Sequence, residues 1–157
     1  MKVSFWLIGK TNESYLETGI SIFQKRLERY LPFAMETWPD VKNGAKLTPP
    51  LLKEKEGEMI LNKLKNEDFL ILLDENGKQY RSEDFAVYME QLLQLSYRRI
   101  VFLVGGAYGF SDAIYQRANA KIALSKMTFS HQMVRLFFVE QLYRAMTILK
   151  NEPYHNS

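Results

Sequence analysis

Residues 100–112 read IVFLVGGAYGFSD, and this stretch decides the fold class of the 157-residue chain. Five apolar residues in a row, without polar alternation, are typical of a strand buried on both faces of a sheet. The glycines that follow form a loop whose backbone a ligand can approach closely, because no side chain stands in the way. Ser111 and Asp112 then give a helix start. Strand, glycine loop and helix in this order indicate an α/β protein with a ligand site at the carboxyl end of the strand.

The same alternation of strand and helix extends outward from this stretch along the whole chain. Short apolar runs closed by turn residues predict strands at Val3–Ile8, Phe33–Trp38, Phe69–Leu73, Ile100–Val104 and Ile122–Leu124. Apolar spacings of three and four predict helices over Tyr15–Leu31, Leu51–Leu64, a stretch starting at Ser82, Ser111–Asn119 and His131–Lys150. Strands that are apolar throughout and alternate with helices predict a parallel sheet covered on both faces, an α/β/α sandwich. We expect a single domain, residues 1–157.

Two stretches are predicted to be irregular. Asp40–Pro50 carries one glycine and two prolines without periodicity, which is typical of a mobile loop. Asp74–Gly77 carries turn residues directly after the third predicted strand, so we expect that strand to end there.

Composition and charge set weak limits on function. The chain is 46% hydrophobic and 25% charged, as an ordinary globular protein is, and its net charge of +3 permits an acidic partner without demanding one. Basic residues gather in three groups, Lys25, Arg26 and Arg29, then Lys53, Lys55, Lys63 and Lys65, then Arg98 and Arg99. Such groups are most often solvated faces, and an RNA-binding surface is the alternative.

Several classes of function are excluded by side chains that are absent or scarce. The chain has no cysteine, which excludes disulfides and thiolate chemistry. Its two histidines, His131 and His155, are far apart in sequence, so we expect no metal site. The opening apolar run Val3–Ile8 is too short for a signal peptide, and no later run reaches the length of about 18 residues that a membrane helix needs. We therefore expect a cytoplasmic protein without a membrane partner.

Three strand ends are expected to form one crevice, because the carboxyl ends of parallel strands meet at the same edge of a sheet. They are the turn at Asp74, the glycine loop starting at Gly105 and the segment Leu124–Phe129. The lining is mostly small, apolar or neutral, with one lysine, Lys126, and it suits adenosine and a thioether better than a triphosphate. The dinucleotide fingerprint and the phosphate loop are both absent. For each segment taken singly, a plain structural turn is the alternative interpretation.

The last predicted helix has two largely apolar faces. One face carries His131, Arg135, Phe138 and Leu142, and the opposite one carries Met133, Phe137, Glu140 and Arg144. A sheet covers only one face of a helix, so we expect a second subunit to cover the other. Glu140 and Arg144, four residues apart, are expected to form a salt bridge. The short polar tail that follows is typical of a frayed terminus, although Tyr154 and His155 in it hint at function.

Five short motifs follow one another in the order and spacing of a known family. They are Gly-Gly-x-x-Gly at 105–109, Leu-Ser-Lys-Met-Thr-Phe at 124–129, His-Gln-Met-x-Arg at 131–135, Glu-Gln-x-Tyr-Arg-Ala at 140–145 and Pro-Tyr-His at 153–155. With them the whole chain resembles the RlmH family of small SPOUT-class RNA methyltransferases. Ser130 departs from the pattern, since relatives usually carry proline there, but a serine can cap the helix that follows.

The resemblance implies a homodimer that transfers a methyl group from S-adenosylmethionine to N3 of a pseudouridine in a hairpin loop of 23S rRNA, on the assembled ribosome. It also implies a trefoil knot near the carboxyl end of the chain. Eight positions match the family's cofactor-binding places, namely Leu73, Gly105, Leu124, Ser125, Lys126, Met127, Thr128 and Phe129. Five match the residues gathered around the target base, namely His131, Arg135, Arg144, Tyr154 and His155. The tail of one subunit is implied to complete the site of the other.

Methyl transfer to an imide nitrogen needs an in-line approach and the loss of the N3 proton, so a nearby proton acceptor or cation is what the protein can supply. His131 or His155 could accept the proton, and Arg135 or Arg144 could stabilise the anion, and the sequence leaves both choices open. A non-catalytic dimeric module that binds RNA or a nucleotide is the competing interpretation. It explains the basic helices and the glycine loop equally well.

Overall fold

A computed structural model describes residues 1–156 of the protein. Ser157, the last residue of the predicted domain and of its tail, lies outside the described residues. The described chain contains the strands β1 Lys2–Ile8, β2 Phe33–Trp38, β3 Asp68–Gln79, β4 Arg99–Val104 and β5 Ala120–Ala123. Alternating with them are the helices α1 Ser14–Leu27, α2 Pro49–Leu61, α3 Ser82–Leu93, α4 Asp112–Arg117 and α5 Met133–Leu149. A single 3₁₀ turn in this part of the chain spans Gly44–Lys46.

The strands form one sheet in the order β2-β1-β4-β3-β5, and every pairing in it is parallel. Parallel neighbours need a crossover connection, which the helices supply. The prediction of a parallel sheet is therefore confirmed. Since all strands run the same way, their carboxyl ends lie along one edge, and loops from several strands can meet there.

Helices cover both faces of the sheet, and each face has its own apolar core. Successive strand residues point to opposite faces, so Phe5 and Trp6 of β1 enter different cores. On the face shared by α1, α3 and α5, the ring of Phe138 packs 4.8 Å from Phe5 and 4.7 Å from Phe102. On the face covered by α2 and α4, the rings of Trp6 and Trp38 meet edge to face at 5.3 Å. The predicted α/β/α sandwich is confirmed.

The prediction that the third strand ends at Leu73 is wrong. β3 continues to Gln79, because the chain leaves the sheet at 74–77 and then pairs with β5 a second time. Leu73 and Lys78 both lie opposite Ile122, so the four residues between them form an excursion from a single point of the ladder.

Residues 74–77 form a turn as predicted, but this turn interrupts β3 and does not end it. The Asp74 carboxylate accepts a hydrogen bond from the Asn76 N–H at 2.9 Å, as in a local turn. Gly77 then allows the chain to return, because a Cβ at this position would lie 2.6 Å from backbone atoms of Ile122. The turn residues alone predict the end of β3, but pairing with β5, which is distant in sequence, continues the strand beyond them.

The predicted loop Asp40–Pro50 is shorter than expected, because α2 begins at Pro49 and not at Leu51. Thr48 caps the helix, and its hydroxyl oxygen accepts from the Leu51 N–H at 3.4 Å. Proline is favoured in a first helical turn, since the N–H that it lacks would be unpaired there. The two prolines that suggested a loop therefore belong to a helix start.

The remaining boundaries differ from the predictions by a few residues. α1 ends at Leu27, β5 spans Ala120–Ala123 and α5 begins at Met133. Ser82 is the first residue of α3, but its hydroxyl donates to the side chain of Gln141 on α5 and not to the helix backbone.

Neither a membrane helix nor a metal-binding group occurs within residues 1–156. None of the helices in this range is long and apolar enough to cross a bilayer. No three side chains of the metal-binding types gather there into a group that could hold an ion. The trefoil knot that the resemblance implies stays a prediction.

Candidate active site

A cleft of about 470 Å³ opens at the carboxyl edge of the sheet, a size usual for small-molecule sites. Residues 73–76 of β3 and the segments that follow β4 and β5 form its walls, together with the start of α5 and residues of α2 and α4. Seven of the eight predicted cofactor-binding residues line it, namely Leu73, Gly105, Leu124, Ser125, Met127, Thr128 and Phe129. The eighth, Lys126, is exposed and is not part of the lining. The structure thus brings the three expected strand ends together in one crevice.

The glycine loop after β4 is closed by a tight turn. Gly109 has a φ of +86°, and its N–H donates to the Gly106 carbonyl at 3.1 Å. A Cβ on Gly105 would lie 3.1 Å from the Phe110 ring and 3.2 Å from the Gly109 carbonyl oxygen. A larger side chain at position 105 would therefore push the turn out of shape.

A buried glutamate of α2 supports this loop from behind. The Glu56 carboxyl oxygens lie 2.6 and 2.8 Å from the place that a Cβ of Gly106 would take. Glu56 is only 8% exposed, and burial, together with the charge of Asp40, raises the pKa of its carboxyl to about 7. Sequence reasoning missed this residue, because a glutamate in an amphipathic helix is usually solvated. Its spacing of four from the buried Ile60 was the available signal.

Carboxylates surround the mouth of the cleft. The Tyr115 hydroxyl of α4 donates to Asp74 at 2.5 Å and that of Thr128 donates to Glu75 at 2.6 Å, so both carboxylates are held in place. Burial and the hydrogen bond to Asp74 raise the pKa of Tyr115. Asp112 adds a third carboxylate to the lining, against one lysine from α2. The cleft therefore favours a ligand that carries positive charge.

The start of α5 places His131 in the cleft. The Ser130 hydroxyl oxygen accepts from the N–H of Met133, the first residue of α5, at 3.0 Å, but the cap position itself is held by Gln132, whose side chain makes no capping bond. Burial, and after it the charge of Arg135, lowers the pKa of His131. Its imidazole is therefore neutral at physiological pH and able to accept a proton.

Arg135 lies in the interior and does not line the cleft. Its exposure is 0%, and its guanidinium donates to the carbonyl oxygens of Ile8 at 2.9 Å, Gly9 at 2.8 Å and His131 at 3.2 Å. A fourth bond goes to the Thr11 hydroxyl at 3.1 Å. Four of its five N–H groups are thus used to tie the start of α5 to the end of β1. Direct contact with a target base, as the resemblance implies for Arg135, does not fit this burial.

A second group of predicted residues lies where the tail packs against α5. It consists of Glu83 of α3, Glu140 and Arg144 of α5, and Tyr154 and His155 of the tail, and we call it the tail cluster. Arg144 pairs with Glu140 at 2.5 Å, which confirms the expected salt bridge. Glu140 also accepts from the Tyr154 hydroxyl at 2.9 Å, and the Arg144 guanidinium lies 4.8 Å above the Tyr154 ring. The cluster therefore joins helix and tail through one shared carboxylate.

His155 connects two sides of the tail cluster. Arg144 can only donate, so the imidazole accepts its 3.1 Å bond at Nδ1 and carries its proton on Nε2, which donates to Glu83 at 3.0 Å. This hydrogen bond lowers the pKa of Glu83 to about 2. Both ring nitrogens of His155 are therefore engaged within the protomer.

The expectation of a frayed tail is wrong for residues 151–155. Asn151 turns the chain with a φ of +57°, and Glu152 accepts a hydrogen bond from the Tyr30 hydroxyl. The Tyr154 ring packs edge-on against Tyr143 at 4.8 Å. Aromatic packing and hydrogen bonds thus hold the tail on the helices.

The cleft and the tail cluster are separate within one protomer. Arg144, Tyr154 and His155 are all absent from the lining of the cleft. Val134 does line the cleft, and it precedes Arg144 by ten residues, which is about 15 Å along an α-helix. A ligand in the cleft of one protomer therefore lies well away from the tail cluster of the same protomer.

An apolar groove of about 260 Å³ adjoins the cleft and shares Leu124 and Phe129 with it. Phe137 of α5 lines its other side, and the rings of Phe129 and Phe137 lie 5.2 Å apart. These two side chains are 36% and 42% exposed, and we call this surface the phenylalanine groove. The predicted apolar outer face of the last helix is therefore confirmed at Phe137.

The parallel sheet and the cleft at its carboxyl edge define an α/β protein of the class that binds nucleotide-like ligands beyond its strand ends. Residues 1–155 match the family described as Predicted SPOUT methyltransferase. The chain belongs to this family of methyltransferases, and the resemblance drawn from the motifs is confirmed.

Relatives of high identity span the same length as this chain. The proteins named Ribosomal RNA large subunit methyltransferase H from Parabacteroides distasonis and Christiangramia forsetii are each 53% identical to it over 156 residues, 99% of both chains. A solved structure of a probable methylase family protein from Haemophilus influenzae Rd KW20 covers 95% of this chain and 66% of its own, with a TM-score of 0.50 and 9% identity. That likeness supports the fold alone.

Proposed function

We propose that the protein methylates ribosomal RNA of the large subunit, with S-adenosylmethionine as the methyl donor and N3 of a pseudouridine in a 23S rRNA hairpin loop as the acceptor. The full-length relatives carry the name of such an rRNA methyltransferase. The observation that carries the proposal is the cleft, where three strand ends, a glycine turn and a ring of carboxylates meet. Action on assembled ribosomes would place the protein in the cytoplasm.

The cleft fits S-adenosylmethionine in shape and in charge. Gly105 and Gly106 line the cleft, and a Cβ at either position would collide with Gly109 and Phe110 or with Glu56, so the loop keeps this close-packed shape only with glycine. In our proposal Leu73, Gly105 and the segment 124–129 hold the adenosine and the thioether. The acidic rim at Asp74, Glu75 and Asp112 complements the positive charge of the donor. When bound, this cofactor supplies a methyl group on a sulfonium sulfur.

His131 is the proton acceptor that the geometry favours. It lines the cleft with a lowered pKa, whereas both nitrogens of His155 are engaged by Arg144 and Glu83. In this role His131 would accept the proton that N3 of the target base loses when it is methylated. Arg135 acts as a positioning residue, because its bonds fix the turn that carries His131.

Arg144 and Tyr154 are assigned to the target base. The Arg144 guanidinium is stacked on the Tyr154 ring, and its Nε is buried without a hydrogen-bond partner within residues 1–156. A cation held in this way can stabilise the negative charge that develops on the imide when N3 loses its proton. In this assignment Glu140 fixes the guanidinium and His155 braces it from the tail.

A homodimer would bring the two halves of the site together. Within one protomer the cleft and the tail cluster are about 15 Å apart along α5, and the exposed phenylalanine groove lies next to the cleft. We propose that a second copy covers this groove and that its tail cluster then faces the cleft. Burial of exposed aromatic side chains is the driving force expected for such an interface.

The test is methyl transfer to unmethylated ribosomes from donor labelled in the methyl group, with mapping of the product nucleotide. Wild-type protein is expected to label one pseudouridine, and His131→Ala is expected to lower the rate about a hundredfold or more while its affinity for the donor, measured by calorimetry, stays within about threefold. Binding of ribosomes without any transfer, or equal affinity for ATP and S-adenosylmethionine, would instead support the non-catalytic module.

A further inference from the structure

An aromatic cluster joins the tail cluster to α1. The ring of Tyr143 on α5 lies 5.7 Å from Phe23, 5.9 Å from Tyr30 and 4.8 Å from Tyr154. Two of these rings therefore belong to α1 or its end, one to α5 and one to the tail. The last turn of α1 is thus part of the surroundings of the proposed base-binding residues.

Arg26 lies on this aromatic cluster. Its guanidinium carbon is 5.3 Å from the centroid of Phe23 and 5.4 Å from that of Tyr143, so two rings support one cation. Burial and the hydrogen bond to Glu140 raise the pKa of Tyr154, and the charges of Arg144 and Arg26 oppose that rise. Arg26 is therefore close enough to act electrostatically on the tail cluster.

The hydrogen-bond donors of Arg26 are available, unlike those of the other arginines near the site. Arg144 is engaged by Glu140 and His155, and Arg135 by backbone carbonyl oxygens in the interior. The side chain of Arg26 is exposed and makes neither a hydrogen bond nor an ion pair within residues 1–156. Stacking on two rings restricts the side chain, so less freedom is lost when its N–H groups bind a partner.

The local charge favours an anionic partner. Lys25 and Arg29 flank Arg26 at the end of α1, and both are exposed. A guanidinium with a free edge forms bidentate hydrogen bonds to phosphate, and clustered cations add long-range attraction to a nucleic-acid backbone.

We propose that Arg26, aided by Lys25 and Arg29, binds a phosphate of the RNA strand next to the target nucleotide. The proposal rests on the proposed function, because it takes ribosomal RNA as the substrate. It adds to that function an anchoring residue on α1 that contacts the backbone and takes no part in the chemistry. Sequence analysis placed these three residues in a basic group without choosing between a solvated face and an RNA surface.

The experiment compares Arg26→Ala and Arg26→Lys with a matched control, Lys63→Ala. Lys63 is also a cation on an aromatic ring, 5.3 Å from Trp38, but it lies on the face of the sheet that α2 covers. Binding to unmethylated ribosomes is measured over a range of salt concentrations, together with KM, kcat and the affinity for S-adenosylmethionine.

Arg26→Ala is expected to weaken ribosome binding and raise KM about fivefold to tenfold, and to reduce the slope of log affinity against log salt by about one. Its kcat and donor affinity are expected to stay within about twofold of wild type. Arg26→Lys keeps the charge but not the bidentate geometry, so it should keep the salt slope and lose part of the affinity. Lys63→Ala should behave as wild type.

The inference is overturned if Arg26→Ala has the same salt slope and KM as Lys63→Ala, or if Arg26→Lys loses the slope as well. A drop in kcat with unchanged KM would also overturn it, since Arg26 would then act on the chemistry. Failure of the proposed function gives a different result, since wild-type protein would then bind ribosomes but transfer no methyl group. If wild type does not bind ribosomes at all, both proposals are wrong.

Discussion

The cleft and the tail cluster differ in the chemical groups that form them. The cleft is formed by glycine backbone, small side chains and an apolar strand end, with carboxylates at its mouth. In the tail cluster, by contrast, charged and aromatic side chains bind one another, since Glu140 binds both Arg144 and Tyr154 and Arg144 stacks on the Tyr154 ring. One region offers space and the other offers prearranged functional groups.

This difference indicates that the two regions, at different positions along α5, bind different parts of the reacting system. A backbone wall suits a ligand recognised mainly by shape, whereas a stacked and paired guanidinium suits the recognition of a planar base or the stabilisation of an anion. His131 lies just before α5 and Arg144 lies farther along it, and in our proposal each site combines the cleft of one protomer with the tail cluster of the other. The variants below damage the cleft, the tail cluster or the surface between protomers one at a time.

Gly105→Val is expected to have the largest effect, and only on the cleft. The added side chain would start 3.1 Å from the Phe110 ring and 3.2 Å from the Gly109 carbonyl oxygen, so the turn, which lines the cleft, must shift. We expect calorimetry to show that affinity for S-adenosylmethionine falls at least about a hundredfold. Ala113→Val, at an exposed position of α4 outside the lining of the cleft, is the control, and equal affinity for both variants would place the donor elsewhere.

Deletion of 153–157 should damage the tail cluster and spare the cleft. It removes Tyr154 and His155, so we expect methyl transfer to ribosomes to fall about a hundredfold at saturating donor, with donor affinity within about threefold. Because the tail is docked, the free energy of unfolding should also fall, by about 1–2 kcal/mol. A chain that ends after His155 is the control, and full activity of the longer deletion would remove the tail from the site.

Phe137→Glu tests the surface that is proposed to join the two regions. The ring is 42% exposed next to Phe129, and a carboxylate there would have to be desolvated in any interface. We expect the dimer dissociation constant to rise more than about tenfold in sedimentation or light scattering, with a matching loss of transfer. Val87→Glu, at another exposed apolar side chain, is the control. A monomeric wild-type protein at micromolar concentration would contradict the proposal.

Glu56→Gln should have the smallest effect and should depend on pH. Since burial raises the pKa of Glu56 to about 7, the native state holds a proton that the unfolded state releases near pH 4.5, the ordinary value for a glutamate. The free energy of unfolding of wild type should therefore decrease as pH rises from 4.5 to 7, by about 1–3 kcal/mol.

Glutamine mimics the protonated carboxyl, so the variant should lack this decrease. Denaturant titrations at pH 5 and pH 8 would show it more stable than wild type at pH 8 and nearly equal at pH 5. The exposed Glu54→Gln on the same helix serves as control. A difference from wild type that is the same at both pH values would mean that Glu56 does not titrate in this range.

The sheet and the cleft could be predicted because their signals are local and redundant. The central parts of β1, β3 and β4 are apolar runs, and parallel strands necessarily put Gly105 and the segment 124–129 on one edge. The end of β3 could not be predicted in this way, because whether a turn ends a strand or interrupts it depends on a partner strand 49 residues farther on, as for Leu73 and Ile122.

The sequence also did not reveal which charged residues are buried, because their partners are distant along the chain. Arg135 was grouped by helical periodicity with Phe138 and Leu142, which placed it on the buried face, but the carbonyl partners of its guanidinium lie 126 and 127 residues away. Glu56 looked like one more solvated glutamate of α2. The docked tail was missed for the same reason, since its partners Glu83 and Tyr30 belong to distant helices.

The bonds of Arg135 also have a consequence for how the chain can be made. Ile8 and Gly9 leave the ribosome early during synthesis, yet the guanidinium that pairs with their carbonyl oxygens is added more than 120 residues later. Until then these two carbonyl oxygens lack the guanidinium, and α5, which covers one face of the sheet together with α1 and α3, is absent as well. The cleft can therefore close only after nearly all of the polypeptide has emerged, so folding of this domain is coupled to completion of the chain.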